Sequence, residues 1–227
     1  MSQGPRVIKR INNWLKPHRT IPITPWRATN TWNLAPLRVL ILAIGLFIFG
    51  LGEALLVQSN LGNSPWVVFA QGLSTKLPLS IGWSTFAISC AVLLLWIPLA
   101  QKPGFGTISN IVLIAFALQL GVDHIPEQKN FWAGLVYALT GIALVGIASS
   151  LYITTGLGAG PRDGLMTGIH YKTQVRVGRV RLGIEALVLT VGAALGGQVG
   201  VGTALFALLV GQAVAISFGV MARLTHK

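Results

Sequence analysis

Acidic residues are nearly missing from this chain. Only Glu53, Asp123, Glu127, Asp163 and Glu185 carry a carboxylate among 227 residues, and charged residues of every kind make up 10%. A soluble domain coats itself with about 25% charged residues, so that kind of surface is excluded. Cysteine is equally scarce. The single thiol, Cys90, lies within an apolar run, cannot close an internal disulfide, and reads as a small core residue. The four histidines, His18, His124, His170 and His226, are scattered without metal-ligand spacing, so no metal site is expected. No Ser-His-Asp or paired-carboxylate arrangement can be assembled from neighbouring motifs, and no cofactor fingerprint occurs; the chain does not read as an enzyme. Alternating ten-residue strands are absent too, which excludes an outer-membrane barrel.

What remains is apolar. Hydrophobic residues make up 53% of the sequence, and the mean hydropathy is +0.70. Runs of about twenty apolar residues match the ~30 Å hydrocarbon core of a bilayer. We expect six spans, at roughly 39–57, 81–100, 105–122, 132–154, 182–199 and 203–222. The net charge of +12 would suggest nucleic acid in a soluble protein. Its placement argues against that. With a cytoplasmic N-terminus, the inside segments collect Arg6, Lys9, Arg10, Lys16, Arg19, Arg27, Arg38, Lys102, Arg162, Lys172, Arg176, Arg179, Arg181, Arg223 and Lys227, leaving only Lys76 and Lys129 outside. That bias predicts a multi-pass protein of a bacterial plasma membrane with both termini cytoplasmic.

Residues 1–37 hold no acid and three tryptophans, Trp14, Trp26 and Trp32. Val7, Ile8, Ile11, Trp14 and Leu15 fall on one helical face opposite Lys9, Arg10, Asn12, Asn13 and Lys16, the pattern of an interfacial helix on anionic lipid headgroups. Pro17, Pro22, Pro25 and Pro36 then predict an extended connection, with a disordered basic tail as the competing reading for 16–36.

An internal repeat organises the rest. Residues 38–121 align without a gap on 134–217, at a constant offset of 96. Gly45/Gly141, Gly50/Gly146, Gly62/Gly158, Gly72/Gly168, Gly82/Gly178, Gly104/Gly200 and Gly106/Gly202 coincide, as do Pro65/Pro161, Lys76/Lys172 and Thr107/Thr203. Each copy carries three spans, an odd number, so the copies are expected to insert in opposite orientations. The predicted fold is therefore an all-α, polytopic transmembrane helical bundle. It divides into repeat one at 38–122, an external loop at 123–131, repeat two at 132–222 and a cytoplasmic tail at 223–227.

Within each copy a Leu-Gly-x-x-Pro turn precedes a short helix, to about Thr75 in the first and Tyr171 in the second. Pro65 and Pro161 suit a first helical position, with Ser64 as the N-cap of the first. Eleven residues span roughly 16 Å, half a hydrocarbon core, so these helices either dip into the membrane or lie flat on it. Gly160 and Gly164 belong to the same turn as Gly158. Trp66, Trp83, Trp96 and Trp132 read as interfacial anchors, and Ser74, Thr75 and Thr85 as packing hydroxyls.

Four residues are candidates for a pathway or ligand. Glu53 lies in the first span and Glu185 near the start of the fifth, where an ionisable group is costly and points to function, unless Glu53, about four residues from the outer end of its span, reaches the headgroups. Glu185 can also pair with Arg181, four residues earlier on one helical face. Arg162 and Asp163 follow Pro161 at a helix N-terminus, where an anion is favoured, or where Asp163 simply caps the helix and Arg162 pairs with it or with lipid.

Leu61-Gly62-Asn63-Ser64-Pro65-Trp66, Gly104-Phe105-Gly106-Thr107 with Asn110, and Gly156 through Met166 resemble the YczE/YyaS/YitT-type family of bacterial integral membrane proteins. The likeness covers about residues 38–220, and Val67 stands where the family pattern leads one to expect an acid. It implies a polytopic plasma-membrane protein and supplies no substrate. Two functions stay open: a transporter or channel with a pathway between inverted repeats, or a non-transporting accessory protein acting through the basic loop 162–181.

Overall fold

The computed structural model describes residues 16–17 and 20–225; the expected interfacial helix around Val7 to Leu15 falls outside them, as do His18 and His226. Among the described residues all regular structure is helical. The helices are α1 (Pro36–Gln58), α2 (Pro65–Lys76), α3 (Ile81–Leu94), α4 (Phe105–His124), α5 (Phe131–Thr154), α6 (Pro161–Thr173), α7 (Val177–Ala194) and α8 (Val201–Thr225). The first residues of α2, α3 and α4 recur as those of α6, α7 and α8 at the offset of 96.

Local chemistry explains these starts. Pro36, Pro65 and Pro161 each open a helix where a missing N–H has no cost. The Asn130 side chain caps α5 by accepting from the amides of Trp132 and Ala133. At α4 and α8 the Gly104 and Gly200 amides donate to Thr107 Oγ1 and Thr203 Oγ1, at 3.1 and 3.3 Å, so the two Gly-x-Gly-Thr motifs do the same work.

Four helices, α1, α4, α5 and α8, are long and apolar enough to cross a membrane. A fifth span results if α2 and α3, bent by 115° across their short break, are taken together. The six expected spans are thus only partly realised. The stretch 81–100 becomes a helix that stops at Leu94, followed by turns; Pro98 has no amide to continue it, and Trp96 leaves the helical path to place its ring in the core. The stretch 182–199 becomes α7, which starts at Val177, includes Arg179, Arg181 and Glu185, and ends before Gly196, whose φ is +102°.

The centre of the bundle is α1 packed against α5. A Cβ on Gly45 would lie 3.0 Å from Leu151 Cβ, and one on Gly141 would lie 3.4 Å from Leu55 Cβ. Gly52 and Gly141 face each other further along, so the two helices run antiparallel. Small residues at these crossings let the backbones approach closely. Within the copies, α4 packs on α1 and α8 on α5, and a Cβ on Gly50 or Gly146 would lie 2.6 Å from the Cβ of Ala117 or Ala213. The short helices bridge the copies: α2 packs on α7 as well as on α3, and α6 on α3 as well as on α7.

Residues 20–35 form no helix or strand; they run as irregular chain with turns at 25–26 and 31–32 where the prolines predict an extended connection, and they are tied down. The Ala28 amide donates to the Thr155 carbonyl at 2.7 Å, Thr24 Oγ1 to the Thr154 carbonyl, and Trp26 Nε1 to Thr154 Oγ1.

Candidate functional site

Each short helix is launched by a glycine turn that only glycine fits. Gly62 and Gly158 have φ of +105° and +124°, and a side chain at either would run into the opposite Gly-x-Gly-Thr turn. Two matching hydrogen bonds lock the arrangement: the Gly106 amide donates to the Leu157 carbonyl at 2.8 Å, and the Gly202 amide to the Leu61 carbonyl at 2.6 Å. In the second copy Thr107 Oγ1 adds a bond to the Ala159 carbonyl at 2.7 Å. These turns aim the N-termini of α2 and α6 at one cavity of about 150 Å³.

The cavity is lined by corresponding positions of both copies: Phe49 with Val145, Glu53 with Ser149, Ser64 with Gly160, Trp66 with Arg162, Asn110 with Phe206, and Ile114 with Val210. Its wall therefore straddles the repeat. Its charges do not. Glu53, Arg162, Asp163 and Glu185, separated along the sequence, all reach this one space, together with Arg181 and Tyr152.

Glu53 is 1% exposed. Its Oε2 accepts from Ser64 Oγ at 2.8 Å, and its Oε1 has no hydrogen-bond partner. Ser64 occupies the N-cap position of α2, as expected, but its hydroxyl serves the carboxylate and makes no capping bond. Asp163 does not cap α6 either, and no ion pair links it to Arg162 among the described residues. Asp163 Oδ2 instead accepts from Tyr152 Oη at 2.9 Å, while the Arg162 guanidinium lies 5.1 Å from the centre of the Trp66 ring. The expected local cap is therefore not made, and Arg162 lies over Trp66 with no salt bridge to Asp163. Glu185 does pair with Arg181, at 2.8 Å.

Nothing in the sequence marks Tyr152, an aromatic in an apolar span, and two of the four expected interfacial tryptophans lie elsewhere. Trp83 and Trp132 are exposed as anchors should be, but Trp66 and Trp96 are buried. Trp96 Nε1 donates to the Pro161 carbonyl at 2.9 Å, and its ring lies against Gly164, which explains that glycine. Among the described residues no group of three His, Cys, Asp or Glu side chains gathers as a metal site.

An all-helical bundle with several membrane-length apolar helices, folded around a cavity that holds buried charge, defines a multi-pass membrane protein. The chain belongs to the family of unknown function DUF6198, which matches residues 36–218. An uncharacterized protein of Haemophilus influenzae is 42% identical over 208 residues, covering 92% of this chain and 95% of its own. The uncharacterized membrane protein YczE of Bacillus subtilis is 33% identical over 169 residues, 74% of this chain and 79% of its own. YyaS of the same organism is 27% identical over 187 residues, 79% of this chain and 92% of its own. No solved structure matches the chain significantly.

Proposed function

We propose that this protein is a secondary transporter or channel of the bacterial plasma membrane, with both termini cytoplasmic and a pathway running through the cavity between its repeats. The carrying observation is the cavity itself, walled by equivalent positions of both copies and holding a buried, half-satisfied carboxylate at Glu53. The antiparallel packing of α1 on α5 supports two inverted three-span repeats, with α3 and α7 as short spans and α2 and α6 as re-entrant helices. Burial of Trp66, Val67, Val68, Leu165 and Met166 inside the bundle supports re-entry over a flat interfacial position. The chemistry is binding and passage, with no catalytic step, and the basic N-terminus rests on anionic lipid.

Labelling tests the pathway. In a Cys90→Ser background, Ser149→Cys should react with a membrane-impermeant maleimide in both right-side-out and inside-out vesicles. Reaction from one side only, or from neither, sinks the transport reading. A reporter fused after Lys129 should appear outside the cell; a cytoplasmic signal there would overturn the topology.

The accessory reading draws on a different feature. Residues 171–179, with Lys172, Arg176 and Arg179, are exposed throughout and offer a basic surface to a partner. One-sided labelling together with loss of a co-purifying protein on neutralising these three residues would favour it.

A further inference from the structure

The charges around the cavity leave two groups over. Asp163 is occupied by the Tyr152 hydroxyl, and Glu185 by Arg181. Glu53 Oε1 has no partner although its residue is 1% exposed, and Arg162 makes no ion pair among the described residues. These two groups have opposite charge and line the same space without an ion pair between them; Glu53 accepts from Ser64, and Arg162 lies over the face of Trp66. A buried carboxylate oxygen without a donor is unfavourable, and a hydrogen-bond donor of positive charge satisfies it best. The guanidinium asks for the reverse, a planar anion. Beside it the N-termini of α2 and α6 reach the cavity without a side-chain cap on either, and uncapped helix amides favour an anion as well.

We propose that the cavity binds a small zwitterion of the amino-acid type, its ammonium group donating to Glu53 and its acid group received by Arg162 and the helix N-termini. This rests on reading the cavity as a solute pathway and names the class of solute. A cavity of about 150 Å³ sets the size. An engineered cavity of that volume in another protein takes up benzene, so about six to eight heavy atoms fit. Glycine, alanine, serine and proline are of that order. The apolar remainder of the wall, from Phe49, Ile114 and Val210, suits a short side chain without charge.

Binding is measured on the purified full-length protein in detergent by calorimetry and thermal shift. The probes are the twenty common amino acids with β-alanine and taurine, and for each binder its two singly charged halves, such as ethylamine and propionate for alanine. The expected result is saturable binding of at least one zwitterion, with each half at least about tenfold weaker. Glu53→Gln and Arg162→Gln should each weaken that binding at least tenfold. Propionate binding as tightly as alanine would make this a simple anion site; ethylamine doing so would make it a cation site; no binding across the panel at 10 mM, as for a water-bridged Glu53–Arg162 pair, rejects the proposal outright. The comparison of whole ligand with its halves needs no variant, so it stands even if a substitution fails to fold. Zwitterion binding with one-sided Ser149→Cys labelling defeats transport and leaves the site; two-sided labelling without zwitterion binding does the opposite.

Discussion

The second helices of the two repeats occupy equivalent positions and are held very differently. In the first copy α3 packs on α2, α4 and α6, and buries Ile81, Gly82, Ser84, Thr85, Ile88, Ser89 and Val92. In the second copy α7 packs on α2 and α6 without a comparable seat on α8, and buries only Val180, Val188 and Gly192. Leu182 and Leu187 are turned outward, while Arg181 and Glu185 reach the cavity. One scaffold thus carries a rigid wall on one side and a loosely seated helix on the other. Less of α7 is buried than of α3, and elements with few buried apolar contacts are those that open locally at the lowest cost.

The largest effect should come from striking what the copies still share. Gly62→Ala and Gly158→Ala each force a side chain into a left-handed backbone and against the opposite Gly-x-Gly-Thr turn. Strain and overpacking together should cost about 3 kcal/mol or more at both sites. Thermal unfolding in detergent should show two comparably deep losses. A large loss at Gly62 with a small one at Gly158 would mean that the turns are not equivalent supports.

A middling effect should separate the copies. Gly82 sits where α3 meets α4, and a Cβ there would lie 2.6 Å from Gln119 Cβ; its partner position Gly178 has nothing within 4 Å. Gly82→Ala should therefore lose about 1–3 kcal/mol of stability through overpacking. Gly178→Ala should change it by less than about 0.5 kcal/mol, the range of an exposed helix position. Equal losses at both glycines would show that α7 is seated as firmly as α3 and would remove the asymmetry.

Much of this was legible from residue spacing. The offset of 96 located the turns, the short helices and the Gly-x-Gly-Thr motifs, because close backbone approach leaves glycine no substitute and the pattern survives duplication. The four candidate charges also proved to be neighbours around one cavity, since ionisable groups in apolar helices have few places to go. Partner choice was not legible. Ser64 and Asp163 both carry good capping side chains at helix N-termini, and each makes its bond to a residue eleven positions earlier, Glu53 or Tyr152, on a helix reached across the turn. Helix length failed at Leu94 for a similar reason: hydropathy continues to Trp96 and Ile97, but the tertiary pocket for the Trp96 ring decides where the chain turns.

The smallest effect concerns the ion pair on the loose helix. Arg181 and Glu185 are 49% and 27% exposed at the side chain, and their counterparts Thr85 and Ser89 in the first copy are buried. An i,i+4 pair with that much access to solvent is worth well under about 1 kcal/mol and is screened by salt. Glu185→Gln should lower thermal stability by no more than that, with the difference shrinking as sodium chloride is raised. The same variant should still label from both sides at Ser149→Cys. If Glu185→Gln instead abolishes labelling from one side while stability is unchanged, the pair is the latch that holds α7 against the cavity, and the asymmetry between the copies is one of gating as well as of packing.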